Sequence, residues 1–215
     1  MIEMIANTGK PIILSAGLTD LNEIKKTQTY IQEIWNKKGI NQEMSILHCV
    51  VSYPTQPHEA NLLAIQELKN LNVVVGYSDH TLGIDAAVLS VALGARIIEK
   101  HFTIDKQFSE FRDHQLSADP QDFKLLTQNV KNSIELLGMP VKFVQPSEKE
   151  MLLPVRRSIV ASCDLEEGTN LKWEHLTWVR PGNGLSPGKE TEVLGKTLMK
   201  SVRRGDMILP HILRS

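Results

Sequence analysis

The 215-residue sequence has few cysteines, few aromatic residues and almost no net charge. Its two cysteines, Cys49 and Cys163, stand far apart and without the spacing of a metal site. We therefore expect no disulfide framework, and we expect a reducing, cytoplasmic setting. No apolar run is long enough to span a membrane, and the start of the chain lacks the apolar core of a signal peptide. Because the formal net charge is −1, no overall field favours nucleic acid or a membrane as partner.

Two polar motifs that follow short apolar runs organise the first part of the chain. The motif GYSDHT covers residues 76–81, and EKHFT covers residues 99–103. Because the apolar residues between them have helical spacing, the pattern predicts a strand, a helix and a second strand. Each motif places a histidine, His80 or His101, at the edge of the sheet where ligands bind in parallel α/β folds. Two imidazoles brought together there suit a divalent metal ion.

The same alternation of strand and helix recurs through the first 140 residues. Predicted strands begin near residues 12, 46, 73 and 96, and a helix follows each of them. Asp20 and Glu23 form a capping-box pattern at one helix start, and Asp119 before Pro120 marks another. The last helix carries a predicted buried stripe of Phe123, Leu126, Val130, Ile134 and Leu137. These features predict an α/β fold with a parallel sheet and four βα units.

A change of pattern after Pro140 predicts a second domain. Residues 141–154 have no clear period and are interpreted as a linker. Residues 155–215 contain short β-like pieces separated by glycine and proline turns, which indicates a small, mainly β domain of about 60 residues. We therefore expect a first domain over residues 1–140, the linker, and a second domain over residues 155–215.

The motifs also carry a family resemblance. GYSDHT, taken together with ALGARIIEKHFT over residues 92–103, resembles the sialic acid (N-acylneuraminate) synthase family. Residues 155–212, which include RPGNG, resemble the antifreeze-like (β-clip) domain at the C-terminus of these synthases. The resemblance implies a TIM-type barrel, of which this sequence holds the C-terminal half as a partial barrel. It also implies condensation of phosphoenolpyruvate with an N-acyl hexose to give a nine-carbon sugar acid.

Four candidate site residues follow from the resemblance to the barrel. It assigns His80 and His101 to a catalytic divalent metal, manganese or magnesium, which would polarise the sugar aldehyde as a Lewis acid. Two nitrogen ligands suit manganese better than magnesium, which favours oxygen. Ser15 and Ser78 match serines that hydrogen-bond the phosphate of phosphoenolpyruvate.

Three further residues are assigned to the sugar. Tyr53 matches a tyrosine that contacts the sugar, and Asp113 matches an aspartate that hydrogen-bonds its hydroxyl groups. Arg180 lies in a turn that proline and glycine make rigid, and its match reaches the acylamino group of a sugar bound in the partner subunit. The resemblance thus implies a domain-swapped homodimer.

The count of four βα units leaves alternatives open. Four strands cannot close a barrel, so we expect a fragment, one half of a split protein or half of an assembly, completed by a separate N-terminal half-barrel. A catalytic glutamate and a carboxylate-binding lysine, which the family takes from its first strands, have no counterpart here. One alternative is another barrel lyase or aldolase, although no lysine is clearly placed for a Schiff base. The other is a non-catalytic binding or assembly module derived from such a synthase.

Overall fold

The computed structural model describes residues 1–109 and 112–215, which divide into two compact units. The first unit contains residues 1–139 and the second contains residues 140–215.

A four-stranded parallel sheet forms the centre of the first unit. Its strands are Ile12–Ala16 (β1), Met44–Cys49 (β2), Val74–Asp79 (β3) and Ile97–Lys100 (β4). They pair in the order β1-β2-β3-β4, and every pair is parallel. A helix follows each strand, so the predicted α/β fold with four βα units is confirmed.

The helices of the first unit begin and end largely where their sequence signals predict. They are Ile2–Ala6 (α1), Leu21–Lys38 (α2), Ala64–Leu68 (α3), Asp85–Leu93 (α4), Arg112–Leu116 (α5) and Pro120–Leu137 (α6). Asp20 and Glu23 complete a capping box at the start of α2. Asp119 accepts a hydrogen bond from the backbone N–H of Asp122 at the start of α6. Among the residues that the structure describes, no helix is long and apolar enough to cross a bilayer.

Side chains alternate between the two faces of the sheet. The helix-facing side is the packed core, and its largest cluster combines strand residues with residues from α2 and α3: Ala16, Ile24, Ile46, Ile65, Leu68, Val75 and Tyr77. The other side, which we call the inner face, carries the alternate strand residues. There Ile13 is 61% exposed and Val74 is 38% exposed. The helix-facing side is therefore packed over β1 to β3, whereas the inner face is open to solvent along part of its length.

Gly76 allows the strands to approach closely at the centre of the inner face. A Cβ atom at this position would lie 2.3 Å from Leu47 Cδ2 and 2.4 Å from the backbone oxygen of Ile97. A side chain there would thus collide with backbone as well as with a core leucine. This packing explains why the GYSDHT motif begins with glycine.

Two details of the sequence prediction are corrected. Both motifs lie partly inside their strands, because β3 continues through Asp79 and β4 through Lys100. In the stripe predicted for α6, Leu126 is buried, whereas Phe123, Ile134 and Leu137 are each about half exposed. These side chains are exposed because α6 packs against α4 beside β4, at the edge of the sheet. Several of these apolar side chains line an open cavity of about 390 Å³ there.

The second unit contains short antiparallel strand pairs around its own apolar core. Its strands are Ser158–Ala161 (β5), Leu176–Val179 (β6), Thr197–Leu198 (β7) and Leu213–Arg214 (β8). β5 pairs with β6, and β7 pairs with β8. The core consists mainly of Ile159, Leu165, Leu171, Leu176, Val193, Leu198, Val202, Ile208 and Ile212. The predicted small, mainly β domain is therefore present.

The segment interpreted as a linker contains regular structure. It includes a 3-10 helix, Pro146–Met151, and most of a short α-helix, Leu152–Val155 (α7). The backbone oxygen of Leu153 accepts a hydrogen bond of 2.8 Å from the N–H of Gly182. This contact ties the end of the segment to the turn that carries Arg180.

A carboxylate in the second unit is held by two hydrogen-bond donors. Glu190 Oε1 accepts bonds of 2.7 Å from the indole Nε1 of Trp178 and 3.0 Å from the N–H of Gly188. The Gly188 bond, a backbone bond of Glu190 itself and the Trp178 bond lower the pKa of the Glu190 carboxyl. All three favour the ionised form.

We expect Glu190→Gln to lower the stability of the second unit at neutral pH and to flatten its acid response. Because the folded-state pKa is lowered, the contribution of Glu190 is present above the unfolded-state pKa of about 4.3. It is lost as the pH falls through the folded-state pKa. Urea unfolding between pH 7 and pH 3, followed by Trp fluorescence in a Trp35→Phe background, measures both effects. The control is Glu192→Gln, which removes a surface partner of Lys189. Equal pH dependence of the two variants would contradict the prediction.

Candidate active site

Two histidine rings lie together beyond the ends of β3 and β4. The register pairs Ser78 with Glu99 and Asp79 with Lys100, so the next residue on each strand is a histidine. The ring centroids of His80 and His101 are 5.2 Å apart, and their planes are nearly perpendicular. His80 is buried, and His101 is half-buried. One ion bound to both rings can span this separation.

The hydrogen bond that His80 makes determines which ring nitrogen is free. Its Nδ1 lies 2.7 Å from the backbone oxygen of Val50. Because a carbonyl oxygen only accepts hydrogen bonds, Nδ1 carries the proton and the lone pair of the neutral ring is on Nε2. A backbone carbonyl that fixes the tautomer in this way is a common arrangement behind metal-binding histidines.

The donor set fits an ion that keeps open coordination positions. Within residues 1–109 and 112–215, no group of three or more His, Cys, Asp and Glu side chains is arranged to hold a metal. His80 and His101 would therefore provide two imidazole ligands, fewer than the three protein ligands usual in catalytic zinc sites, and the remaining positions would be left for substrate, water or other groups. The assignment of the metal remains a prediction.

Tyr53 packs against both histidines. Its ring centroid is 4.2 Å from that of His80 and 5.7 Å from that of His101. Burial raises the pKa of the Tyr53 hydroxyl, and electrostatic interactions with Cys49, Asp113 and Glu99 raise it further. Tyr53 thus stays protonated and is a hydrogen-bond donor at this edge of the sheet.

Ser78 lies on the inner face, two residues before His80 on β3, and its hydroxyl already has a hydrogen-bond partner. Its hydroxyl donates a hydrogen bond of 2.6 Å to Glu99 Oε2. Ser78 is buried, whereas Glu99 is exposed. Any anion that takes the Ser78 hydroxyl must displace this carboxylate.

The other three predicted residues are placed differently. Asp113 is half-buried on α5 and close enough to Tyr53 to affect its pKa. Ser15 is exposed on the inner face of β1, level with Gly76 and thus two residues before Ser78 in register. Arg180 is exposed in the second unit, where its Nε donates a bond of 2.9 Å to the backbone oxygen of Val155.

Sequence reasoning missed two groups in the site, Glu99 and Cys49. Glu99 stands two residues before His101 in the same strand, so strand alternation places both on one face. That signal was available in the motif EKHFT. Cys49 is buried on β2 in the row of Ser78 and Glu99, where its thiol interacts with both. The contact of Cys49 with Ser78 depends on the register between β2 and β3, which the sequence does not specify.

Lys100 lies on the opposite face, as strand alternation predicts. It is buried, and its ammonium group contacts Asp79 instead of the site. His48 also lies away from the histidine pair, since it stacks on Tyr77 at 5.8 Å and bonds to the backbone oxygen of Ala60. Neither side chain belongs to the candidate site.

The first unit is a parallel α/β half-barrel with polar groups gathered at its strand ends, and the second unit is a small β domain. Together they define the class of protein: an enzyme-like barrel with an appended domain. The chain belongs to the NeuB family, whose model matches residues 1–142. The model of the SAF domain matches residues 156–214. These matches confirm the predicted family and both parts of the predicted fold class.

Named relatives agree with this assignment. The chain is 38% identical over 208 residues to N,N′-diacetyllegionaminic acid synthase of Campylobacter jejuni, which covers 96% of this chain and 61% of that protein. It is 41% identical over 209 residues to an uncharacterized protein of Methanocaldococcus jannaschii, covering 97% and 60% of the two proteins.

A solved structure is similar as well. The crystal structure of N-acetylneuraminic acid (sialic acid) synthetase from Leptospira borgpetersenii in complex with citrate matches at 38% identity with a TM-score of 0.62. The match covers 70% of this chain and 50% of that one. The chain thus spans about three fifths of the length of the curated relatives it matches.

We expect the two thiols to react at different rates with Ellman's reagent. Burial and then the charge of Glu99 raise the pKa of Cys49, and only the hydrogen bond with Ser78 opposes this. Cys49 is also shielded, whereas Cys163 is exposed. The native protein should show a fast phase from Cys163 and a slow phase from Cys49 that accelerates as the pH rises. The Cys163→Ser variant should retain only the slow phase, and the Cys49→Ser variant should retain only the fast phase. A fast phase in Cys163→Ser would refute the prediction.

Proposed function

We propose that this chain is the part of a sialic-acid-type synthase that holds the metal and the phosphate. The reaction would join phosphoenolpyruvate and an N-acyl hexose into a nine-carbon sugar acid. The observation that carries the proposal is the His80–His101 pair, with Tyr53 packed on both rings, at adjacent strand ends. Membership of a family whose named relatives are such synthases gives this pair its chemical context.

His80 and His101 would hold manganese or magnesium, and the ion when bound would supply Lewis-acid polarisation of the sugar aldehyde. The hydrogen bond from His80 Nδ1 to the Val50 oxygen orients the ring so that Nε2 can bind the ion. Tyr53, which covers one side of His80, would orient the sugar through its hydroxyl and limit the access of water.

Ser78 would donate to the phosphate of phosphoenolpyruvate, and Ser15 would add a second hydroxyl lower on the inner face. The bond from Ser78 to Glu99 Oε2 is the one that phosphate would replace at the Ser78 hydroxyl. Asp113, near Tyr53, would bind sugar hydroxyl groups.

Two partners complete the proposed enzyme. The first is the additional length that the relatives have, which we infer supplies an N-terminal half-barrel covering the open inner face. Exposed Ile13 and Val74 on that face are apolar side chains that such a partner would bury. The second is another copy of the chain, since Arg180, an exposed arginine of the small domain, would reach the sugar of a neighbouring subunit in a domain-swapped homodimer.

We expect condensation activity to require the added length. Joining the 215 residues to the uncovered part of the Campylobacter jejuni synthase should give phosphate release from phosphoenolpyruvate that depends on an N-acyl hexose. The isolated chain should be nearly silent, because the glutamate and lysine that the resemblance places in the first strands are missing. Coupled phosphate detection with a set of N-acyl hexoses measures both.

The control for this experiment is the same fusion with His80→Ala and His101→Ala, which should fold and stay inactive. Robust turnover by the isolated chain would show that no further strands are needed. A folded fusion without turnover on any hexose would overturn the synthase proposal and favour a non-catalytic binding or assembly module.

We also expect the chain to bind Mn²⁺ through the histidine pair. Titration followed by electron paramagnetic resonance should show a site in the wild type whose affinity falls at least tenfold, on the order of 1.4 kcal/mol or more, in His80→Ala/His101→Ala. His58→Ala is the matched control, because His58 is an exposed histidine in the first unit. Equal affinity of the wild type and the double variant would exclude the assignment.

Arg180→Ala should weaken N-acyl hexose binding in the completed enzyme by about 1.5–3 kcal/mol, as expected for loss of a charge-assisted hydrogen bond. Phosphoenolpyruvate and metal binding should change little. Mixing Arg180→Ala subunits with His80→Ala/His101→Ala subunits should restore activity, because a swapped dimer then retains one intact site. Heterodimers that form without regaining activity would show that Arg180 does not act across subunits.

A further inference from the structure

We propose that the buried Asp79–Lys100 ion pair is a positioning device that sets the spacing of His80 and His101. The inference rests on the proposed metal site, and it assigns a role to two residues that touch neither substrate nor metal. Each member of the pair immediately precedes one of the histidines in the sequence.

The ion pair is short and enclosed, and both of its members make further hydrogen bonds. Lys100 Nζ lies 2.8 Å from Asp79 Oδ2, and the side chains are 1% and 0% exposed. The same ammonium donates a second bond of 2.8 Å to the backbone oxygen of Thr81. Asp79 Oδ1 accepts from the N–H of Thr81 at 2.9 Å and from its hydroxyl at 2.8 Å. The backbone on both sides of His80 is therefore held by one network.

The position of the ion pair in the sheet allows it to control the spacing of the two histidines. Asp79 and Lys100 form the last register pair between β3 and β4. Beyond this row the strands bond elsewhere, since the oxygen of His80 accepts from Thr55 N–H and that of His101 accepts from Ala118 N–H. The ion pair links β3 and β4 across their last register pair, one residue before each histidine. A shift of either strand end would change the distance between the two rings.

Stability alone is a weak reason for such a pair. Burying two charges costs a large part of what their attraction returns, and apolar replacements of similar volume are often as stable. Lys100 is among the residues that line the cavity beside α6. A directional ion pair differs from apolar packing mainly because it fixes geometry. Fixed geometry is what two ligands on different strands require.

The test uses Asp79→Asn/Lys100→Met in the 215-residue chain. Asparagine keeps an Oδ1 acceptor for the N–H and hydroxyl of Thr81, and methionine replaces Lys100 without its charge. We expect this variant to fold, to bind Mn²⁺ at least about tenfold more weakly than the wild type, and to show an altered visible absorption spectrum with Co²⁺ at saturation. The spectrum reports the arrangement of ligands and does not depend on catalysis.

Ile65→Ala is the matched control, because Ile65 is a fully buried core residue on α3 away from the strand ends. It should lose stability and retain the Mn²⁺ affinity and the Co²⁺ spectrum. Asp79→Glu is the second variant in case the double replacement fails to fold. It keeps the charge but displaces the carboxylate by one methylene, so it too should change the spectrum.

The outcomes separate this inference from the proposed function. If the wild type binds no better than His80→Ala/His101→Ala, the metal site is wrong and the positioning role falls with it. If the wild type binds through the histidines but the Asp79 and Lys100 variants bind equally well with an unchanged spectrum, only the positioning role is overturned. Loss of affinity in Ile65→Ala equal to that in the double variant would likewise overturn it, since the effect would then be one of general stability.

Discussion

The parallel register between β3 and β4 is the constraint on which the rest of the site depends. It pairs Ser78 with Glu99 and Asp79 with Lys100, so residues 21 apart in the sequence share a row. A slip of one residue would move one histidine to the opposite face, because side chains in a strand alternate. Register is firmly set here because an apolar cluster covers most of the helix-facing side, and a slip would replace its side chains with those of the inner face.

The two faces of the sheet have different chemical roles. On the helix-facing side, Asp79 and Lys100 neutralise each other where water is excluded. On the inner face, the Ser78–Glu99 bond and the histidine pair lie near the strand ends, where Glu99 is exposed and His101 is half-buried. The same short motifs thus place a buried charge pair on one face and a row of polar side chains on the other.

The second unit shows the same use of polar groups within an apolar setting. Glu190, next to the core that Val193 and Leu198 belong to, is held by Trp178 and Gly188 and stays ionised more readily than a free glutamate. The turn with Arg180 is fixed by bonds to Val155 and to Leu153. An arginine on a turn held in this way is suited to recognise a planar or anionic group with little loss of entropy.

The sequence by itself determined what depends on neighbours in the chain. The caps Asp20 and Asp119, the four βα units and the small β domain were all predicted, because capping and apolar periodicity act over a few residues. The adjacent ends of two successive parallel strands followed from the same pattern. Only the tertiary structure showed that Tyr53 packs on both histidines, that Ser78 bonds to Glu99 and that the α6 stripe is half exposed. These facts depend on register and on packing between residues about 20 or more apart, which local spacing does not specify.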